Sequence, residues 1–233
     1  MKIPNVKIVD KSDNSESNNI KVDYNNIARY YNTDVLFEDK AKHKFIQRTE
    51  RLIRGSVEYR NYISLLKNEL DLTRCTFLPE VDIEELGNGL IEFHHYPLTL
   101  YDIVSIKVEK RIAENKFAFD EFDVADDVMI DHYRNIIGLV PLSETVHELA
   151  HKGLKFINLS YVQGNYKKFI KENNVYITDL LNTKLSEVEK LSEQENHGLE
   201  LSDENLLSIK KLYIENTNEE KNKEIEKIEV TTN

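Results

Sequence analysis

The sequence is poor in the residues that staple or bend small folds: one cysteine, four prolines, seven glycines and no tryptophan among 233 residues. A lone cysteine, Cys75, excludes an internal disulfide and any zinc ribbon built on cysteine pairs. No run approaches the ~18 apolar residues of a membrane-spanning helix. The opening MKIPNVKIVDKSDNSESNN lacks the apolar stretch of a secretory leader, so a cytoplasmic location is expected, the host cytoplasm if a phage encodes the chain. Neither a glycine-rich phosphate loop nor a Ser-His-Asp arrangement is evident. Basic charge is scarce too. The net charge is −11, and only residues 37–75 are net positive, at +3. Residues 1–36 are neutral, 76–183 carry −8 and 184–233 carry −6. A nucleic-acid binder usually shows a basic footprint. Here only Arg48, Arg51, Arg54 and Arg60 offer one, and a solvated helix face is the commoner meaning of such a stripe.

What is present is aliphatic and charged, at 40% hydrophobic and 31% charged residues, as in a soluble globular protein with polar ends. Apolar spacing predicts helix from about 36 to 75, with Phe45, Leu52, Ile53, Val57, Tyr59, Ile63, Leu65 and Leu66 inward and a bend or a break at Gly55. Pro79 and the Gly87-Asn88-Gly89 turn then lead into a strand, GLIEFHH. Thr99 is placed to cap a helix through about Ala113, and Asp120 or Asp123 to cap another that carries His132. IGLVPL reads as a buried strand. Ser143 caps the helix after it and Gly153 stops that helix. LKFINLSYV suggests a further strand, followed by helices from about Asn165 and about Thr178. The end, 216–233, reads as an acidic, disordered tail.

Five of the seven histidines fall between 94 and 151: His94, His95, His132, His147 and His151. A single histidine on an apolar face is usually a hydrogen-bonded core residue, which is the expectation for His132. An adjacent pair plus an i,i+4 pair is a different object. His147 and His151 lie one helical turn apart, so their rings share a face and suit one metal ion.

Two enzymatic readings compete. HELAH, residues 147–151, matches the HExxH zinc-peptidase signature, with Glu148 activating water. Leu154 then stands where an extended motif needs glycine, and Glu172 is the nearest downstream carboxylate on a predicted helix. The second reading uses all four residues. EFHHYP followed by GLVPLSETVHELAH resembles the HNH, or His-Me finger, endonucleases. In that family a histidine pair ends the first strand of a hairpin, and a strand reading LVPL leads into a short helix with His-x-x-x-His.

This resemblance implies an α+β fold: a ββα-metal (HNH-like) core at 76–160 with a helical insertion at 99–137. It would follow a partly mobile extension, 1–35, and a helical segment, 36–75. A helical C-terminal extension, 161–215, and the tail, 216–233, complete the division. His94, His147 and His151 would hold a divalent metal ion: zinc, or magnesium, manganese or nickel in the working state. His95 would be the general base, with Glu148 in a supporting place. The family usually has asparagine where this chain has Gly138, and Asn135 is the nearest substitute. Adjacent strand residues face opposite ways, so both histidines reach one site only if the strand bends, and Pro97 could provide that bend. The implied partner is nucleic acid, DNA before RNA, with contacts from the four arginines. A non-catalytic virion or interaction protein that keeps a metal-bound fold is the remaining alternative, and the acidic C-terminal helix could serve it as a protein contact.

Overall fold

A computed structural model describes residues 38–81, 90–114 and 119–197. Two helices open it: α1, Asp39–Gly55, and α2, Val57–Asn68. The break between them has a local cause. Ser56 leaves the helical region and takes the N-cap place of α2, its hydroxyl accepting from the Tyr59 amide at 3.0 Å. The break also resets the apolar phase. Phe45, Ile46, Thr49 and Ile53 are buried from α1, and Tyr59, Tyr62 and Leu66 from α2. Val57 and Leu65, expected inward from one continuous stripe, are exposed instead.

Strand β1, Ile91–His95, pairs antiparallel with β2, Leu139–Ser143. Between them run α3, Leu100–Ala113, and α4, Glu121–Tyr133. Thr99 and Asp120 close these two helices with full capping boxes. Helix α5, Glu144–His151, leaves β2 directly under a Ser143 cap. Helices α6, Tyr166–Asn173, and α7, Asp179–Asn196, follow. The strand expected over LKFINLSYV is absent. A short 3-10 turn, Leu159–Tyr161, stands there, and only Gln163 bridges to Leu139. An Asn158 side chain that accepts from the Ser160 amide favours this turn over a ladder. The expected glycine turn at 87–89 and the tail at 216–233 lie outside the described residues.

Register decides what each side of the hairpin touches. His95 pairs with Leu139, Phe93 with Pro141, His94 with Val140 and Glu92 with Leu142. Phe93 and Leu139 enter the main core among α1, α2, α3 and α4, with Phe45, Ile53, Ile103, Val104 and Val128. Val140 and Leu142 face the other way, into a smaller cluster with Tyr96, Ile157 and Val188. Pro141 costs the ladder nothing. Its carbonyl points outward to accept from Thr76, so its missing N–H belongs to the outer edge and not to the β1 side.

The hairpin is therefore buried on both faces, but α5 is not. This eight-residue helix has no buried residue. Only Val146 and Ala150 pack, partly buried, against the smaller cluster. An isolated helix this short is marginal in water.

Candidate metal centre

Alternation along β1 and the turn of α5 bring three imidazoles together. His94 projects from the β1 face that looks toward α5. Its ring centroid lies 5.0 Å from that of His147 and 4.8 Å from that of His151. The His147 and His151 rings are 4.5 Å apart, with Nε2 to Nε2 at 3.0 Å. One nitrogen from each of the three lies within 4.8 Å of the others. Two ligands on one ion with bonds of about 2.1 Å stand about 3.4 Å apart, so the widest pair needs to close by about 1.4 Å. Burial falls across the group, from buried His94 through half-buried His147 to exposed His151, so the site opens toward solvent along α5.

The protonation chemistry suits ligation. Burial, then the neighbouring His151 and His147, push the His94 pKa down to about 3. Burial and His147 lower that of His151 as well. Neutral imidazoles with free lone pairs are the form that binds metal. A Glu92 oxygen, two residues before His94 on the same strand face, accepts from His147 Nδ1. That leaves the His147 Nε2 lone pair directed at the His151 ring. A carboxylate behind a ligating histidine is a common outer-shell arrangement that fixes the tautomer. Glu92 escaped the sequence reading, although its spacing from His94 was the available signal.

The other expected site residues are placed differently. No bend brings His95 round to the triad. It stays in the regular ladder opposite Leu139 and turns its ring into the main core, only 5% exposed. There it lies against Tyr59, with ring centroids 6.2 Å apart, and its Nε2 meets His132 Nε2 at 3.0 Å. His132 donates from Nδ1 to the Val128 carbonyl at 2.8 Å, so its Nε2 is the acceptor and His95 Nε2 carries the proton. Burial pulls the pKa of both rings down, His132 to about 4.

Gly138 is explained by space. A Cβ there would stand 2.1 Å from the Tyr96 carbonyl oxygen, so an asparagine does not fit. Asn135 occupies the left-handed turn after α4, with φ at 54°, and its carbonyl accepts from Asn165.

Glu148 is exposed and ion-paired with Lys152 at 2.8 Å, which holds its pKa low. Glu172 is engaged by Arg134 through both oxygens, at 3.0 and 3.1 Å. The triad is thus completed by His94 and not by a carboxylate downstream of the HELAH helix. Among the four arginines, Arg48 pairs with Glu121 at 2.7 Å, Arg51 donates to the Gln47 carbonyl and Arg60 to the Gly55 carbonyl. Arg54, in the last turn of α1, is exposed.

No helix among the described residues is long and apolar enough to cross a membrane. No curated protein and no solved structure matches this chain. Residues 1–222 match the family described as Bacteriophage G278-like virion protein, and at that coverage the chain belongs to this family.

Proposed function

We propose that the protein is a virion component whose hairpin and α5 are tied together by one divalent transition-metal ion on His94, His147 and His151. The observation that carries this reading is the mismatch at α5. The helix buries no residue, yet it presents two imidazoles to a third on β1. An ion bridging helix and strand supplies the fixing that apolar contact does not, and three imidazoles favour zinc or a similar first-row ion. The family description favours a place in the particle. Partners are then other particle proteins, with the acidic helix α7 among the available contacts.

The test is metal content with stability. Purified protein is expected to hold one equivalent of zinc or a related ion. Chelation should lower the melting temperature by several degrees, and His147→Ala should lose both the ion and the response to chelator. Metal-free protein whose melting is indifferent to added zinc and to chelator sinks the reading.

A second reading rests on the order of strand, strand and helix around the triad, which is that of the HNH-type endonucleases. In it, the ion on the same three histidines would polarise a phosphodiester and His95 would take the proton from water. For this, His95 has to leave His132. The acidic face of α4 is also a poor surface for a phosphate backbone. Nicking of plasmid DNA in the presence of divalent ions, lost in His95→Ala, would favour this reading over a structural ion.

A further inference from the structure

A cavity of about 220 Å³ lies between the end of α2 and the segment that leads into β2. Its walls are apolar, from Leu66 and Leu72 on one side and Ile137 and Leu139 on the other. It opens to solvent where Leu70, 52% exposed, and the exposed Asn135 and Gln163 line it. Tyr62 lines it from the core, only 3% exposed, with its ring centroid 5.1 Å from that of His132 and 5.4 Å from that of Tyr133. Leu139 belongs to the main core, so the cavity lies on the other face of the hairpin from His94 and does not involve the metal centre.

The Tyr62 hydroxyl has no hydrogen-bond partner among the described residues. The sealed side-chain oxygens without a partner belong to Asp131 and Asn173, so the Tyr62 oxygen keeps an opening, and the cavity is the opening its residue lines. Burial pushes the phenol pKa up, so the group stays protonated and able to donate. Buried tyrosine hydroxyls usually find a partner.

Size and chemistry narrow the occupant. An apolar cavity of about 150 Å³ holds a benzene ring, so this one takes a single ring with a substituent. Pockets for drug-sized molecules begin at about 300 Å³. The inner end of the occupant needs an oxygen to accept from Tyr62, and its flanks need to be apolar. At the mouth, the side-chain amides of Asn135 and Gln163 make no hydrogen bond with other described residues, and each can both donate to and accept from a peptide group. A phenol ring carried on a polypeptide meets all of these conditions.

We propose that this cavity receives a tyrosine side chain of a partner protein. The ring would lie among Leu66, Leu72, Ile137 and Leu139, its hydroxyl against that of Tyr62 and its backbone at Asn135 and Gln163.

The experiment titrates the full chain with p-cresol, toluene and N-acetyltyrosinamide and follows backbone amide chemical shifts. p-Cresol should saturate at about 0.1–1 mM, shifting the amides of Leu66, Ile137 and Gly164. Toluene, the same ring without the oxygen, should bind about tenfold more weakly. N-acetyltyrosinamide should bind more tightly than p-cresol, and Gln163→Ala should reduce that advantage while leaving p-cresol unchanged. Tyr62→Phe should keep the fold, since the hydroxyl holds no other group in place, and should bring p-cresol down to the level of toluene. Equal affinity of the wild-type protein for p-cresol and toluene overturns the role of Tyr62, and that comparison needs no variant to fold. Binding of p-cresol with N-acetyltyrosinamide excluded assigns the cavity to a free phenol and overturns the partner tyrosine. No saturable shift with any of the three overturns the site, the hydroxyl then being met by water alone.

Discussion

His94 and His95 are neighbours on one strand, yet the two faces of β1 give them opposite chemistry. His94 joins His147 and His151 in a group that opens to solvent and has a carboxylate behind one ring. His95 joins His132 in a sealed pair, where each ring satisfies the other and aromatic rings close the rest. In both groups burial disfavours the imidazolium form, at His94 and His151 on the open side and at His95 and His132 on the sealed one. What separates them is the lone pairs. In the sealed pair, one Nε2 donates to the other and the lone pair is used. In the open group, two Nε2 atoms converge with only one proton able to lie between them.

The comparison can be broken by crossing it with mutations. His94→Ala is expected to lower metal affinity by about 1,000-fold or more, since it removes one of three ligands. Its cost to the metal-free fold should be small, because the site is at the edge of the smaller cluster. His95→Ala should do the reverse. It leaves a cavity and an unpaired His132 nitrogen in the main core, for a loss of about 2–4 kcal/mol, while the metal stays bound. Chemical denaturation and zinc titration of both variants read the two effects. Equal loss of metal in both would show that the faces act as one site.

Acid separates the groups by a second route. His132 titrates at about 4 in the fold against about 6.5 when unfolded. Its folded value is depressed, so the unfolded chain binds the proton more readily between those values. The stabilisation is complete above pH 6.5 and is lost as pH falls toward 4, on the order of 3 kcal/mol. In chelator-treated protein, the unfolding midpoint should fall across this window. His132→Gln should start lower at pH 7 and show a shallower fall, the two curves drawing together in acid. Parallel curves would place the acid response elsewhere, with buried His94 the next candidate.

Much of this arrangement was legible from local signals. Thr99 and Ser143 cap the helices they were expected to cap, and of Asp120 and Asp123 it is Asp120 that caps the next, because a cap is a short-range match between side chain and backbone. Helical spacing alone paired His147 with His151, whereas the addition of His94 was implied by the resemblance to HNH endonucleases, and the hairpin register is what brings its ring to them. Other features depended on tertiary placement. Gly55 signals a bend, but nothing near Val57 or Leu65 signals that Ser56 resets the helical phase there and turns both outward. The partner of His95 lies on an inserted helix, 37 residues away in the chain. Gly138 looked like a missing asparagine, and only the approach of the Tyr96 carbonyl shows why no side chain fits.

Glu92 falls between these cases, and it sharpens the comparison most finely. Its place two residues before His94 puts it on the open face, but only the position of α5 makes His147 its partner. Behind a ligating histidine, such a carboxylate holds the ring and raises its basicity, typically for 10–100-fold in metal affinity. Glu92→Gln keeps the length and an acceptor oxygen but removes the charge. Zinc affinity in this variant should fall toward the lower end of that range, and Glu92→Ala should reach the upper end. Neither should alter the sealed pair, so melting of the metal-free protein should stay within about 0.5 kcal/mol of wild type, as for a surface change. If both variants bind zinc like wild type, the contact with His147 is incidental, and the ring is held by α5 alone.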